Sequence, residues 1–328
     1  MLFSNAVEKL ACEPAYTRPI SDLYPGPNQP PPPFTYSPLP DISLPTNTHP
    51  SYFSAVVDVG KIEGILTYNC FTPSSAGPVN FEGDDKVEDV RPDSDDSASA
   101  LFLLPALFNH SCDGNTHWKC FGDVMVLRAS RDVSEGTELL LSYFQDVAHE
   151  PRQKHLAKWF PECTCDLCLA DRADGEVAIS KRVSISNDFE EYMKTGPADR
   201  TTITNLKKYL KTAQNTYHPD RNVIRPELFR LHAALAQSCQ RHGMVKDDLL
   251  QRFASLKSAG LDVIDQSITG PILQSSQIGL PISTSRLPMM LLSRSCCITM
   301  LNIASTFYHV LVDQVRAERW MRALWWGQ

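Results

Sequence analysis

The sequence predicts an α+β fold, with small sheets in its first half, a cysteine-stapled segment in the middle and an all-helical second half. Three observations lead there. Residues 52–143 hold short β-branched and apolar runs separated by turn residues, such as Asp123 to Ala129 and Thr137 to Tyr143, the pattern of short strands. Cys163, Cys165 and Cys168 crowd together just beyond them. After Asp171 apolar residues recur at helical spacing, first Leu206, Tyr209, Leu210 and Ala213, then Leu228, Leu231, Leu235 and Cys239. A chain of 328 residues is long enough to bury a sizeable core.

Composition removes several classes of function. A net charge of -7 leaves no broad basic face, so no direct nucleic-acid partner is expected. The most apolar run, Leu287 to Leu301, is broken by Arg294 and several polar residues, too short of apolar character to span a membrane. Met1 to Lys9 lack the sustained apolar stretch of a signal peptide. The expected location is therefore intracellular, nucleus or cytoplasm alike. Its ten cysteines should be reduced there, and clustered ones are better read as metal ligands than as disulfides.

Taken in order, residues 1–51 form a proline-rich arm. Half of the 24 prolines fall before residue 51, Pro30 to Pro33 among them, and such a run is extended because each ring fixes φ and removes a donor. A short helix with Val7, Leu10 and Ala11 on one face precedes it. Phe53 to Gly60 and Ile62 to Tyr68 suit strands or a helix, and the pattern does not separate the two. Residues 81–99 are rich in Asp and Glu with little to bury, which predicts a disordered, solvated insertion. Leu101 to Phe108 is expected to be buried on both sides. Strands follow at Trp118 to Gly122 and Asp123 to Ala129, the latter in a sheet covered on both faces. Gly136 supplies a turn, and Thr137 to Tyr143 returns as a strand. Pro151 and Arg152 open a helix that runs to Phe160. In the second half Pro226 sits in a first helical turn and Gly243 is a stop. Leu249, Leu250, Phe253 and Leu256 form another stripe, residues 265–288 are loop, and Cys296 to Trp325 is one long helix. Its proposed face is Leu301, Ala304, Tyr308, Leu311 and Val315. No clean 34-residue repeat is visible.

Singly the motifs are weak, but their order and spacing are not. Phe108-Asn109-His110-Ser111-Cys112-Asp113-Gly114-Asn115, then Gly136-Thr137-Glu138-Leu139 and Tyr143, then Cys163-Thr164-Cys165-Asp166-Leu167-Cys168 resemble the C-terminal half of a SET domain and its post-SET segment. The version is similar to SMYD-like and fungal TPR-associated SET proteins. The resemblance implies a SET-like fold of small β-sheets with a pseudoknot and a zinc-bound post-SET loop. It divides the chain into the arm (1–51), a partial SET and post-SET domain (52–172) and a helical, TPR-like region (173–328). It implies a protein-lysine N-methyltransferase that uses S-adenosylmethionine and acts on a lysine of a protein, histones among the candidates. It also implies a structural zinc on Cys112, Cys163, Cys165 and Cys168. Tyr143 is the expected catalytic residue, and Asn69, Phe108, Asn109, His110, Tyr143, Trp159 and Phe160 are expected around the cofactor.

The chemistry agrees with those residue types. Three thiolates need a fourth for a closed tetrahedral zinc site, and a site closed by four thiolates has no open position for catalysis. Methyl transfer from a sulfonium needs no covalent nucleophile, only an aligned amine kept neutral by an apolar surround. A tyrosine hydroxyl can orient that amine as a dipole. Departures exist. No Gly-x-Gly stretch precedes Tyr52, Gly60 to Gly64 matches it poorly, Pro161 stands where an aromatic is common, and no MYND-type cysteine cluster is visible. A fragment, or a relative that has lost part of its cofactor cradle, would both give this pattern. The alternative function is a catalytically silent, zinc-stabilised module that binds a protein partner through its helical region. His110 and Cys112 share a strand face, as a cysteine hydrolase dyad would, yet no oxyanion-hole glycines or orienting acid accompany them.

Overall fold

The structure is a computed structural model that describes residues 6–7, 17–27, 58–72, 99–121, 124–144, 147–196, 199–272, 279–289 and 292–327. The chain divides into two compact units, residues 1–109 with 118–128, and residues 110–117 with 129–328.

In the first unit α1 (Thr17–Ser21) precedes α2 (Val59–Asn69). The stretch that suited either strand or helix is thus helical over Val59–Asn69. Asp58 decides its start, because its carboxylate accepts from the Lys61 N–H at 2.9 Å and satisfies one of the donors that a helix leaves unpaired. Ile62 and Ile65 are buried one turn apart, and Ile20 and Leu23 close over them. Part of the arm is therefore packed, since Leu23 is 2% exposed. The polyproline run, Leu10, Ala11 and the acidic stretch up to residue 98 lie outside the described residues. Leu101 to Phe108 is not buried on both sides. It winds into a 3-10 turn at Pro105–Leu107, whose tight winding points Leu104 and Leu107 outward, each about half exposed. β2 (Thr116–Phe121) and β3 (Val124–Ala129) form a two-stranded ribbon. The sheet is not covered on both faces: side chains alternate along β3, and Val124 and Val126 share the open side.

The second unit holds His110 of β1 (Asn109–His110), which pairs with β4 (Leu140–Leu141). The strand expected over residues 137–143 shrinks to those two residues. Backbone groups at and before its start are spent on a side chain instead: Leu140 N–H donates to Asn115 Oδ1 at 2.7 Å and Glu138 C=O accepts from Asn115 Nδ2 at 2.8 Å. α3 (His149–Leu156) begins before Pro151 and stops short of Phe160, because Trp159 and Phe160 both fold back to the Leu156 carbonyl. α4 (Asp166–Asp174) carries the chain across residue 172 into α5 (Glu176–Thr195), α6 (Arg200–Gln214), α7 (Leu228–Arg241) and α8 (Val245–Ser258). Gly243, at φ +70°, makes the stop between α7 and α8. Leu250 is off the buried stripe of α8, which is Leu249, Phe253 and Leu256.

The last helix is two helices, α9 (Ser293–His309) and α10 (Gln314–Gly327). Neither Gly nor Pro announces the break. Val312 turns at φ +53°, and Asp313 starts the new helix by accepting from the Arg316 N–H at 3.0 Å. The two pieces consequently bury a different set of residues from the one a single helix would. Tyr308 and Val315 face outward, while Cys296, Met300, Ile303 and Phe307 of α9 meet Trp320 and Ala323 of α10. One tail core joins α8, α9 and α10, with Phe253 stacked on Trp320 at 5.5 Å. A second joins α5, α6 and α7 through Phe189, Leu206, Leu210 and Leu235. Among the described residues no helix is long and apolar enough to cross a membrane.

Candidate active site and metal centre

The Cys112 loop is pinned residue by residue. Ser111 N–H donates to Leu141 C=O at 2.9 Å and so extends the β1–β4 pairing. Gly114 passes the later segment so closely that a Cβ would lie 2.5 Å from the Leu140 carbonyl oxygen, which only glycine permits. Asn115 clamps Glu138 and Leu140 as described, and Thr116 Oγ1 donates to the Leu140 carbonyl at 2.7 Å. Asn115 belongs to the motif, and its spacing alone gives it no role. A buried amide with one donor and one acceptor face is what holds two passing segments in register.

This loop delivers Cys112 to the three later cysteines. The Sγ atoms of Cys112, Cys163, Cys165 and Cys168 all lie within 4.8 Å of one another, with Cys112 at 3.4 Å from Cys168 and 4.0 Å from Cys163. Zinc–thiolate bonds of about 2.3 Å in a tetrahedron put sulfurs about 3.8 Å apart, so the spacing suits that ion. Cys112, Cys163 and Cys168 are almost fully buried. Hydrogen bonds among the sulfurs decide where protons sit. Cys112, bonded first to Cys163, is pushed up, Cys163 is pulled down, and Cys165 is pulled down to about 6 by its bond to Cys112. A dication on the four sulfurs would favour the thiolate form of all of them, because only the deprotonated sulfur is a ligand.

The support around the sulfurs was not legible from spacing. Gln153 on α3 grips two of the cysteines, its Nε2 donating to Cys168 Sγ at 3.1 Å and its Oε1 accepting from Cys163 N–H at 3.0 Å. Arg172 Nη1 donates to the Cys163 carbonyl at 2.9 Å. Cys165 stands at the N-terminus of α4, where the helix dipole favours negative charge. Behind α3 and α4 lies a buried ionic network: Arg152 meets Asp171 at 2.5 Å, and Arg221 meets Asp171 and Asp174 at 2.9 and 2.6 Å. Paired this way the charges avoid the cost of lone burial.

His110 joins the four-cysteine cluster to the expected catalytic tyrosine. Its Nδ1 accepts from the Tyr143 backbone N–H at 3.0 Å, so the ring proton belongs on Nε2, which faces Cys112 Sγ at 3.3 Å. Tyr143, Trp159 and Phe160 gather here. Ring centroids are 5.1 Å apart for His110–Tyr143 and for Tyr143–Trp159, and 5.7 Å for His110–Phe160. All three aromatic residues are half-buried and pack against the cysteine core. Burial, then the charge of Glu138, pushes the Tyr143 hydroxyl up to about 12. Lys158 Nζ rests 3.9 Å from the Trp159 ring centroid, so that face accepts a cation.

The other expected site residues lie in the first unit. Asn69 ends α2 and is buried, its Nδ2 donating to the Ile65 and Tyr24 carbonyls at 2.7 and 2.8 Å. Phe108 is half-buried and Asn109 is exposed. Of the cysteines taken as core thiols, Cys120, Cys239 and Cys296 are buried, Cys70 and Cys297 are partly exposed, and Cys12 lies outside the described residues.

Residues 36–144 match the SET domain family. Three similar proteins extend that comparison. A protein named methyltransferase from Gibberella zeae is 28% identical over 177 residues, 52% of this chain and 23% of that protein. Protein-lysine N-methyltransferase SMYD4 from Mus musculus is 31% identical over 78 residues, 23% of this chain and 10% of that protein. Histone-lysine N-methyltransferase SMYD3 from Mus musculus is 27% identical over 164 residues, 48% of this chain and 37% of that protein. In each case the matched part is well under half the length of the relative.

Proposed function

We propose, from the premise that the chain carries a SET domain of the SMYD-like kind, that it transfers a methyl group from S-adenosylmethionine to a lysine side chain of a protein. One observation carries this best: the backbone of Tyr143 is hydrogen-bonded to the His110 ring, and that ring also touches a sulfur of the four-cysteine cluster. The cluster would hold a structural zinc, and its role would be to fix the loop bearing His110 and the turn bearing Trp159 and Phe160.

The aromatic faces of Tyr143 and Trp159 suit a cationic group, as the Lys158 contact illustrates. His110, Tyr143, Trp159 and Phe160 would hold the cofactor on this side. The roles expected of Asn69, Phe108 and Asn109 belong to the same proposal and rest on the motif. When bound, S-adenosylmethionine supplies a methyl group on a sulfonium, which needs no metal activation. The rest falls to the chain. Half-buried aromatic walls withdraw the acceptor amine from water and favour its neutral form. A hydroxyl that titrates near 12 stays protonated at neutral pH, so Tyr143 orients by its dipole and does not act as a base.

Calorimetric titration with S-adenosylmethionine tests the proposal directly, and saturable binding is the expected result. Tyr143→Phe should lower methyl transfer about 100-fold or more, the scale of losing one aligned hydrogen-bonding group in a site, while leaving cofactor binding within a few fold. Absence of cofactor binding in the metal-loaded protein would instead leave a silent module.

A further inference from the structure

We infer that Arg286 is a positioning residue for the metal loop, the point at which the helical region takes hold of the residue next to Cys112. This rests on the metal-binding part of the function proposed above, and not on methyl transfer.

Arg286 belongs to a short strap, residues 286–289, inside the second unit. One side of the strap joins the segment that follows β3: the backbones of Arg286 and Arg131 pair in an antiparallel β-bridge, and Leu287 N–H donates to the Ser130 carbonyl at 2.5 Å. Ser130 in turn donates from its N–H to the Asn115 carbonyl at 2.8 Å and from Oγ to the Gly114 carbonyl at 3.1 Å. The other side joins the end of α8, where Met289 N–H donates to the Ala259 carbonyl at 2.8 Å. Met289 is buried in the same cluster as Cys112, Cys163 and Cys168.

From this strap Arg286 Nη2 donates to Asp113 Oδ2 at 2.5 Å, and Arg131 Nη2 donates to the Asp113 backbone carbonyl at 2.6 Å. Two guanidinium groups thus fix both ends of the residue that follows Cys112. The room for Arg286 is provided by Gly260, at φ +96°: a Cβ there would lie 2.8 Å from Arg286 Nε and 2.9 Å from Nη2. Gly114 and Asn115 hold the loop from the far side. The Asp113 side chain is where the helical region sets the position of Cys112, and through it the sulfur geometry.

Cobalt(II) titration of the metal-free full chain reads this without any catalytic step, because thiolate-bound cobalt absorbs with an intensity and wavelength set by the sulfur geometry. Arg286→Ala should bind cobalt about 10-fold or more weakly, the scale of losing an outer partner of a metal site, with a changed charge-transfer band and unchanged helical content. Arg286→Lys should recover part of the affinity. Arg230→Ala, which removes a half-exposed surface pair with Glu190, should match the parent. Cobalt affinity and spectrum identical to the parent in folded Arg286→Ala overturn the inference. If Arg286→Ala does not fold, Asp113→Asn, which keeps the shape and removes the charge, decides by the same readout. A parent protein that takes up no cobalt overturns the metal assignment and this inference together. One that binds cobalt but no S-adenosylmethionine leaves the inference standing and sinks methyl transfer.

Discussion

Between Cys112 and Cys168 the longest complete helix is α3, of 8 residues, and β4 has 2, whereas α5 alone runs for 20 residues in the tail of the same unit. The tail is held by area: Leu249, Leu256, Ile303, Phe307 and Ala323 are completely buried in one continuous apolar core. The cysteine region buries few apolar side chains and is held by single contacts instead, Gln153 to two cysteines, Asn115 to two backbone groups, Gly114 to a carbonyl. Short elements cannot form alone, since helices and strands of this length are marginal without partners. One region should therefore fail abruptly when one linkage is cut, and the other gradually as side chains are trimmed.

Metal removal gives the largest expected effect and tests the first half of that contrast. Chelation, or Cys112→Ser, should release the 108–116 and 160–168 segments to rapid amide exchange while α6 to α10 keep their protection. A structural zinc is worth on the order of 10 kcal/mol or more in small peptides that fold around it. Equal protection in both regions after chelation would show that the cysteine region stands without a metal. Trimming the tail comes next. Phe253→Ala removes the ring stacked on Trp320 and should cost about 3–5 kcal/mol in denaturant unfolding, with cobalt binding at the cysteines unchanged.

The smaller expected effect is on pH. His232 is buried on α7, hydrogen-bonded to Gln251 at 2.8 Å, and burial pulls its pKa down. Its folded value is below the unfolded one, so the unfolded chain takes the proton first. Stability from this group is present above about 6.5 and is lost as pH falls toward the folded value, at no more than about 1.4 kcal/mol per pH unit. The unfolding free energy followed from pH 7.5 downward should fall less steeply in His232→Gln than in the parent, by up to about that slope. An identical slope would remove His232 from the account.

Much of the cysteine region was legible because ligands announce themselves by spacing. Cys163, Cys165 and Cys168 stand together in the chain, and the resemblance to SMYD-like SET proteins implied Cys112 as their partner. Gln153 and Arg286 could not be found this way. A glutamine in a polar helix and an arginine in a loop have no spacing signal, and they matter only through what the fold brings beside them. The same limit explains α2, where β-branched Val59, Ile62, Ile65 and Thr67 suit a strand until the Asp58 cap decides. It also explains the split of the final helix, where helical periodicity runs through Val310 to Asp313 and the break is made by contacts. Tail helices α6 and α7 were readable because amphipathic spacing is itself the cause of their packing.

Val312 turns the chain between α9 and α10 with a β-branched side chain in left-handed backbone and is 77% exposed. Such a conformation costs an L-residue roughly 1–2 kcal/mol, part of which glycine would return as lost chain freedom. Val312→Gly should therefore raise the unfolding free energy by up to about 1 kcal/mol, read by chemical denaturation. That hairpin is a place where the protein can be made hardier without disturbing any residue near the sulfurs, a reserve of unspent robustness at its far helical end.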